Sequence, residues 1–119
     1  MRVGVTFIAF DHLHAGYVQM LEEAKTQCDY LIVGLQTNPN LGKKIKTISP
    51  KGLIERYIQL NANKYVDEII PYQTEQDLED ILRAYQIHVR IIGEEYKGKD
   101  FSAKTYCLNK GIDIYYNKR

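Results

Sequence analysis

The residues with the most chemistry per position lie between Phe7 and Lys25, in the stretch FIAFDHLHAGYVQMLEEAK. A short apolar strand carrying Val3, Val5 and Phe7 breaks into a turn holding Asp11, His12 and His14, and a helix starts after Ala15-Gly16. Val18, Leu21 and Ala24 then recur at helical spacing, with Met20 on the flank of the same face. A turn of this kind presents free backbone N–H groups and the positive end of a helix. In a parallel sheet it sits at the carboxyl edge, where ligands bind, and a phosphate is the guest it suits. Imidazole adds donors able to carry charge near neutral pH. Further cations follow: Lys43, Lys44 and Lys46 fall in the polar stretch over residues 37–50, and Arg56 carries a planar fork able to hold phosphate bidentately. Each has an ordinary reading as well. His14 alone reads as a capping or exposed turn histidine, Asp11 as a turn aspartate, the lysines as a solvated loop and Arg56 as an exposed helix charge.

Positioning such groups at one edge requires strands and helices in strict alternation, and the chain has that pattern. Residues 2–8 read as a buried strand, 9–14 as the turn and about 15–27 as a helix. Tyr30 to Leu35 is a near-continuous apolar run, as expected of a strand covered on both faces. The long connection over 37–50 is of the kind that is often functional. Pro50 after Ser49 is placed as a first-turn proline behind a cap, opening a helix whose apolar positions are Ile54, Ile58 and Ala62. Tyr65 to Pro71 reads as a short strand ended by its proline. Thr74 and Asp77 form a capping-box-like start to a helix carrying Leu78, Ile81, Leu82 and Tyr85. Val89 to Ile92 is a fourth strand stopped at Gly93. The polar loop EEYKGKD, a short helix near 102–109 and a last strand IDIYY after Gly111 complete the chain. The order βαβαβαβαβ predicts an α/β fold: one doubly wound, Rossmann-like parallel sheet of five strands with helices on both faces.

Length and composition set the frame. The 119 residues suit a single domain over 1–119, large enough to bury roughly two-thirds of its unfolded surface. A formal charge of +1 gives no polybasic surface for nucleic acid or anionic membrane. Cys28 and Cys107 have no metal-ligand spacing and read as free thiols of a reducing compartment. With no signal-peptide pattern and no apolar run near the ~20 residues that span a bilayer, a soluble cytoplasmic protein is expected.

The run Phe10-Asp11-x-Leu13-His14-x-Gly16 resembles the signature of the cytidylyltransferase-like nucleotidyltransferases, roughly GTFDxLHxGH, and most of all the glycerol-3-phosphate cytidylyltransferase group. The likeness continues through CDYLIVGLQT, ERYIQL, KYVDEIIP and RIIGEEYKGKDF in the order and approximate spacing of the family. There are three departures. Tyr17 stands where the pattern has its second histidine, and Ile8 and Ala9 stand where it has Gly or Ser and then Thr. The late element R-x-x-x-(I/F)-S-(S/T)-(S/T) would open at Arg119, the last residue given.

The resemblance implies strand order 3-2-1-4-5 and transfer of CMP from CTP to a small phosphorylated alcohol, glycerol 3-phosphate first, with release of pyrophosphate. His14, Tyr17 and Lys44 would take the catalytic roles. Ala9, Phe10, His14, Tyr17, Arg56, Gly93 and Arg119 would hold the nucleotide. Asp11, Lys44, Lys46, Glu95 and Tyr96 would hold the acceptor, Glu95 and Tyr96 through the likeness of Gly93-Glu94-Glu95-Tyr96 to the family's loop after strand four. His12 sits where the family usually has Leu and receives no role. No residue is assigned to a metal, because Mg²⁺ arrives with the nucleoside triphosphate and keeps most of its waters. The family also implies a homodimer, and ten tyrosines give material for an interface. A tyrosine hydroxyl stays uncharged near neutral pH, so Tyr17 removes a positive charge from the leaving phosphates. That leaves two alternatives beside the cytidylyltransferase: an adenylyltransferase on the same fold, and a nucleotide-binding pseudoenzyme or regulatory subunit of little activity.

Overall fold

Strand β1, Val3–Ile8, alternates its side chains between two helical layers, which is why nearly every position in it is apolar. The computed structural model describes residues 1–9, 15–37 and 52–118. Its elements after β1 are α1 (Ala15–Lys25), β2 (Tyr30–Gln36), α2 (Leu53–Asn61), β3 (Glu68–Tyr72), α3 (Glu75–Ala84), β4 (Val89–Gly93), α4 (Lys104–Asn109) and β5 (Asp113–Asn117). The five strands form one parallel sheet in the order β3-β2-β1-β4-β5, the order expected. Chain direction across the sheet reverses after β3, so the switch point lies between β1 and β4. In open α/β sheets ligands bind outside the carboxyl ends at such a point.

The core has two layers. One face of the sheet buries Ile8, Leu31, Val33, Leu35, Val89 and Ile91 against Met20, Leu21 and Ala24 of α1 and Leu60 of α2. The other buries Val5 and Ile32 against Leu78 and Leu82 of α3 and Cys107 of α4. Ile8, the bulky residue at a position that is small in the family pattern, points into the first layer and is 5% exposed. Helix α1 is tied to the far edge of the sheet by Asn117, whose side-chain amide donates to the Met20 carbonyl at 3.0 Å, and by Tyr115, whose hydroxyl donates to Glu23 at 2.8 Å. Its last residue, Lys25, pairs with Asp67, and the Asp67 carboxylate also accepts the Leu31 N–H at 2.8 Å. Burial alone would raise the pKa of Asp67, but the Lys25 and Leu31 hydrogen bonds outweigh it and hold the group below its ordinary value.

The capping box at α3 is present as read. The Thr74 side chain accepts the Asp77 N–H at 3.1 Å, and the Asp77 carboxylate accepts the N–H groups of Thr74 and Gln73. Five other expectations change. Helix α2 starts at Leu53 with extended Gly52 as its N-cap; Ser49 and Pro50 lie outside the described residues. Its buried face carries Arg56 and Leu60, whereas Ile54 and Ile58 are 75% and 61% exposed. The apolar periodicity therefore marked the outer face, because the arginine and not the isoleucines has partners beneath it. Strand β3 begins at Glu68 and runs through Pro71, which pairs in register with Leu35. An edge strand tolerates proline because one side needs no N–H donor. Tyr85 caps the end of α3 in extended conformation instead of lying on its buried face, and Glu94–Tyr96 form a single 3₁₀ turn.

Candidate active site

A cleft of about 760 Å³ opens at the switch point. Phe7 enters it from β1, Arg90 from β4, Glu75 from α3, and Glu95, Tyr96 and Phe101 from the segment after β4. Glu95 and Tyr96, the two acceptor-site residues expected in this loop, are thus brought together. Both are exposed on the wall of the cleft. Gly93 ends β4 beside them, buried and paired in register with Asn117. Ala9 is exposed, one residue past β1. Phe10, Asp11, His14, Lys44, Lys46 and Arg119 lie outside the described residues.

The floor is an aromatic stack around one cation. Phe7 faces Gly34 across the β1–β2 pair, and a Cβ on Gly34 would lie 2.4 Å from the Phe7 ring. Only glycine leaves that space. The Phe7 ring meets Tyr72 edge-on at 5.4 Å and lies 5.2 Å from the Arg90 guanidinium. Phe101 lies 4.9 Å from the same guanidinium and packs edge-on against Tyr96. Arg90 is only 3% exposed; its Nη1 donates to the Ser102 carbonyl, and its Nε has no hydrogen-bond partner. Among the described residues no carboxylate forms an ion pair with it. Burial lowers its pKa, countered by Cys107 and Tyr72. Desolvation also strengthens the two ring contacts, since cation–π attraction grows as water is removed. Arg90, Glu75 and Phe101 were not foreseen. The signal for Arg90 was present: within Val89-Arg90-Ile91-Ile92, a charge alternates with core residues in a strand covered on both faces, so it must be buried.

Arg56 is not an exposed charge. It is 2% exposed, and its fork donates from Nη1 to the Gln36 carbonyl at 2.7 Å and from Nη2 to the Thr37 carbonyl at 2.8 Å. It fixes the carboxyl end of β2. Tyr17, on the first turn of α1, is half-buried and packs against the core layer that contains Ile8 and Met20. Among the described residues no three His, Cys, Asp or Glu side chains cluster as metal ligands, and no helix is long and apolar enough to cross a membrane.

Comparison with known proteins bears on what acts at this edge. The family model described as cytidylyltransferase-like matches residues 8–110. A glycerol-3-phosphate cytidylyltransferase of Bacillus spizizenii is 38% identical over 109 residues, covering 90% of this chain and 82% of the relative. One of Staphylococcus aureus is 29% identical over 119 residues, covering 100% of this chain and 86% of the relative. Among solved structures, a lipopolysaccharide core biosynthesis protein from Thermoplasma volcanium superposes with a TM-score of 0.76 at 20% identity, covering 99% of this chain and 95% of that one.

Proposed function

This chain belongs to the cytidylyltransferase-like family of nucleotidyltransferases, and from that premise we propose that it transfers CMP from CTP to a small phosphorylated alcohol, with glycerol 3-phosphate the first acceptor to assay. A phosphate oxygen of the acceptor attacks the α-phosphorus of CTP; the bond from that phosphorus to the bridging oxygen breaks, and pyrophosphate leaves with the electron pair. Catalysis of such a step is positioning plus stabilisation of charge on the transferring oxygens. The observation that carries the reading is the family match over residues 8–110, which includes His14 and the cleft residues from Tyr72 to Ala103.

In this reading His14, Tyr17 and Lys44 act on the transferring and leaving phosphates. The nucleotide lies along Ala9, Phe10, Gly93 and Arg119, and the acceptor against Asp11, Lys46, Glu95 and Tyr96. Arg56 contributes by holding the carboxyl end of β2. Mg²⁺ comes with the triphosphate. The protein works in the cytoplasm as a homodimer, for which Ile54, Tyr57 and Ile58 supply exposed apolar surface on α2. The test is pyrophosphate release from CTP, with ATP in parallel, in the presence of Mg²⁺ and glycerol 3-phosphate. Release with CTP supports the reading; release with ATP alone makes the enzyme an adenylyltransferase; binding without release makes it a pseudoenzyme.

A further inference from the structure

The cleft offers more polar groups than a three-carbon acceptor can use. Its floor is Arg90, which is nine-tenths buried and more, faces the cleft and keeps an N–H without a partner. Its walls carry the carboxylates of Glu75, Glu95 and Asp100. A guanidinium only donates hydrogen bonds and a carboxylate only accepts them. An anionic ligand end would therefore meet three carboxylates, and a cationic one would meet Arg90. Neutral hydroxyls, which donate and accept, satisfy both. The exposed ring of Tyr96, packed edge-on against Phe101, adds an apolar surface against which the C–H groups of a polyol or sugar can lie. The volume of about 760 Å³ is in the upper part of the usual range for small-molecule sites.

Depth points the same way. The guanidinium stacks at the level of Phe7, two residues before Ala9, which at strand rise is roughly 7 Å inside the carboxyl edge. An acceptor whose phosphate reacts at the edge must extend that far to reach Arg90. We propose that this cleft takes the carbon chain of the acceptor, and that Arg90 makes it selective for a phosphorylated polyol or sugar of four or more carbons over glycerol 3-phosphate. The proposal rests on the transfer reading above.

The experiment is a calorimetric titration of glycerol 3-phosphate, erythritol 4-phosphate and ribitol 5-phosphate into the full chain, with CTP binding measured separately. Two further hydroxyls on charged partners should make ribitol 5-phosphate bind at least about tenfold tighter than glycerol 3-phosphate. In Arg90→Met the preference should shrink to within about threefold while CTP affinity is unchanged, and Arg90→Lys should recover part of it. Glycerol 3-phosphate binding as tightly as ribitol 5-phosphate in the wild type would overturn the proposal, as would a full preference in a folded Arg90→Met. A thermal melt reports whether the variants fold; if they do not, the wild-type series decides alone. If CTP binds and no polyol phosphate does, the subsite is refuted and the nucleotide reading stands. If the polyol preference holds and no nucleotide binds, the transfer reading fails instead.

Discussion

Arg56→Met isolates a buried polar clamp that organises the carboxyl edge. The substitution keeps most of the apolar stem and removes the fork, leaving the Gln36 and Thr37 carbonyls without their donors. Hydrogen bonds from a charged donor contribute about 1.5–3 kcal/mol each. Two of them total about 3–6 kcal/mol, offset in part because a desolvated charge is removed along with them. A net loss of about 2–4 kcal/mol follows, and at about 4 °C per kcal/mol for a chain of this size the midpoint should fall by about 8–16 °C. Thermal unfolding by circular dichroism, with urea unfolding as a check on ΔG, measures this directly. Arg83 is the comparison: it is paired with Glu79 and stacked on Tyr106 at the surface, so Arg83→Met should cost below about 1 kcal/mol. If Arg56→Met shifted the midpoint by less than about 2 °C, the clamp would not hold the edge and the reasoning would fail.

Three further outcomes are expected. Gly34→Ala should destabilise by about 1–3 kcal/mol, because its Cβ collides with the Phe7 ring, and should also disturb the Arg90 stack; the melt reads the first effect and acceptor binding the second. Stability should fall on the acid side: Asp67 and Asp77 both have depressed pKa values in the folded state, so their contribution is complete above the unfolded carboxylate value of about 3.9 and is lost as pH drops through the lower folded values. Urea midpoints measured from pH 6 to pH 2 should show this limb, and Asp67→Asn should flatten it. Tyr17→His restores a cationic donor at the first turn of α1, and since one such donor is worth about 10²–10³ in rate, kcat should rise at least tenfold; an unchanged kcat in a folded variant would mean that Tyr17 serves the core layer against which it packs.

The sheet was legible because its strands are apolar runs separated by capping and turn residues. Val3–Ile8, Tyr30–Gln36 and Val89–Gly93 fall within a residue of where alternation and Gly93 placed them, and the Thr74–Asp77 box marked the start of α3 to the residue. Strand order came from the family likeness, since periodicity carries no information about neighbours. Errors arose where tertiary partners outweighed local pattern. On α2 the carbonyls of Gln36 and Thr37 drew Arg56 inward and left Ile54 and Ile58 outside, a result fixed by groups far away in sequence. Pro71 continued its strand because β3 is an edge, which only the sheet order reveals. Half of the candidate site was visible as a motif: Gly93-Glu94-Glu95-Tyr96 leads into the wall of the cleft. The floor was not, because Gly34, Phe7, Arg90 and Phe101 meet only after β1, β2, β4 and the loop before α4 assemble.

The central claim, nucleotidyl transfer from CTP, is tested most directly by titrating CTP into the protein with Mg²⁺ and glycerol 3-phosphate present while pyrophosphate is recorded. Heat of CTP binding accompanied by stoichiometric pyrophosphate release and a CDP-alcohol product is the result expected. Absence of CTP binding at millimolar concentration, in a chain shown to be folded, would contradict it.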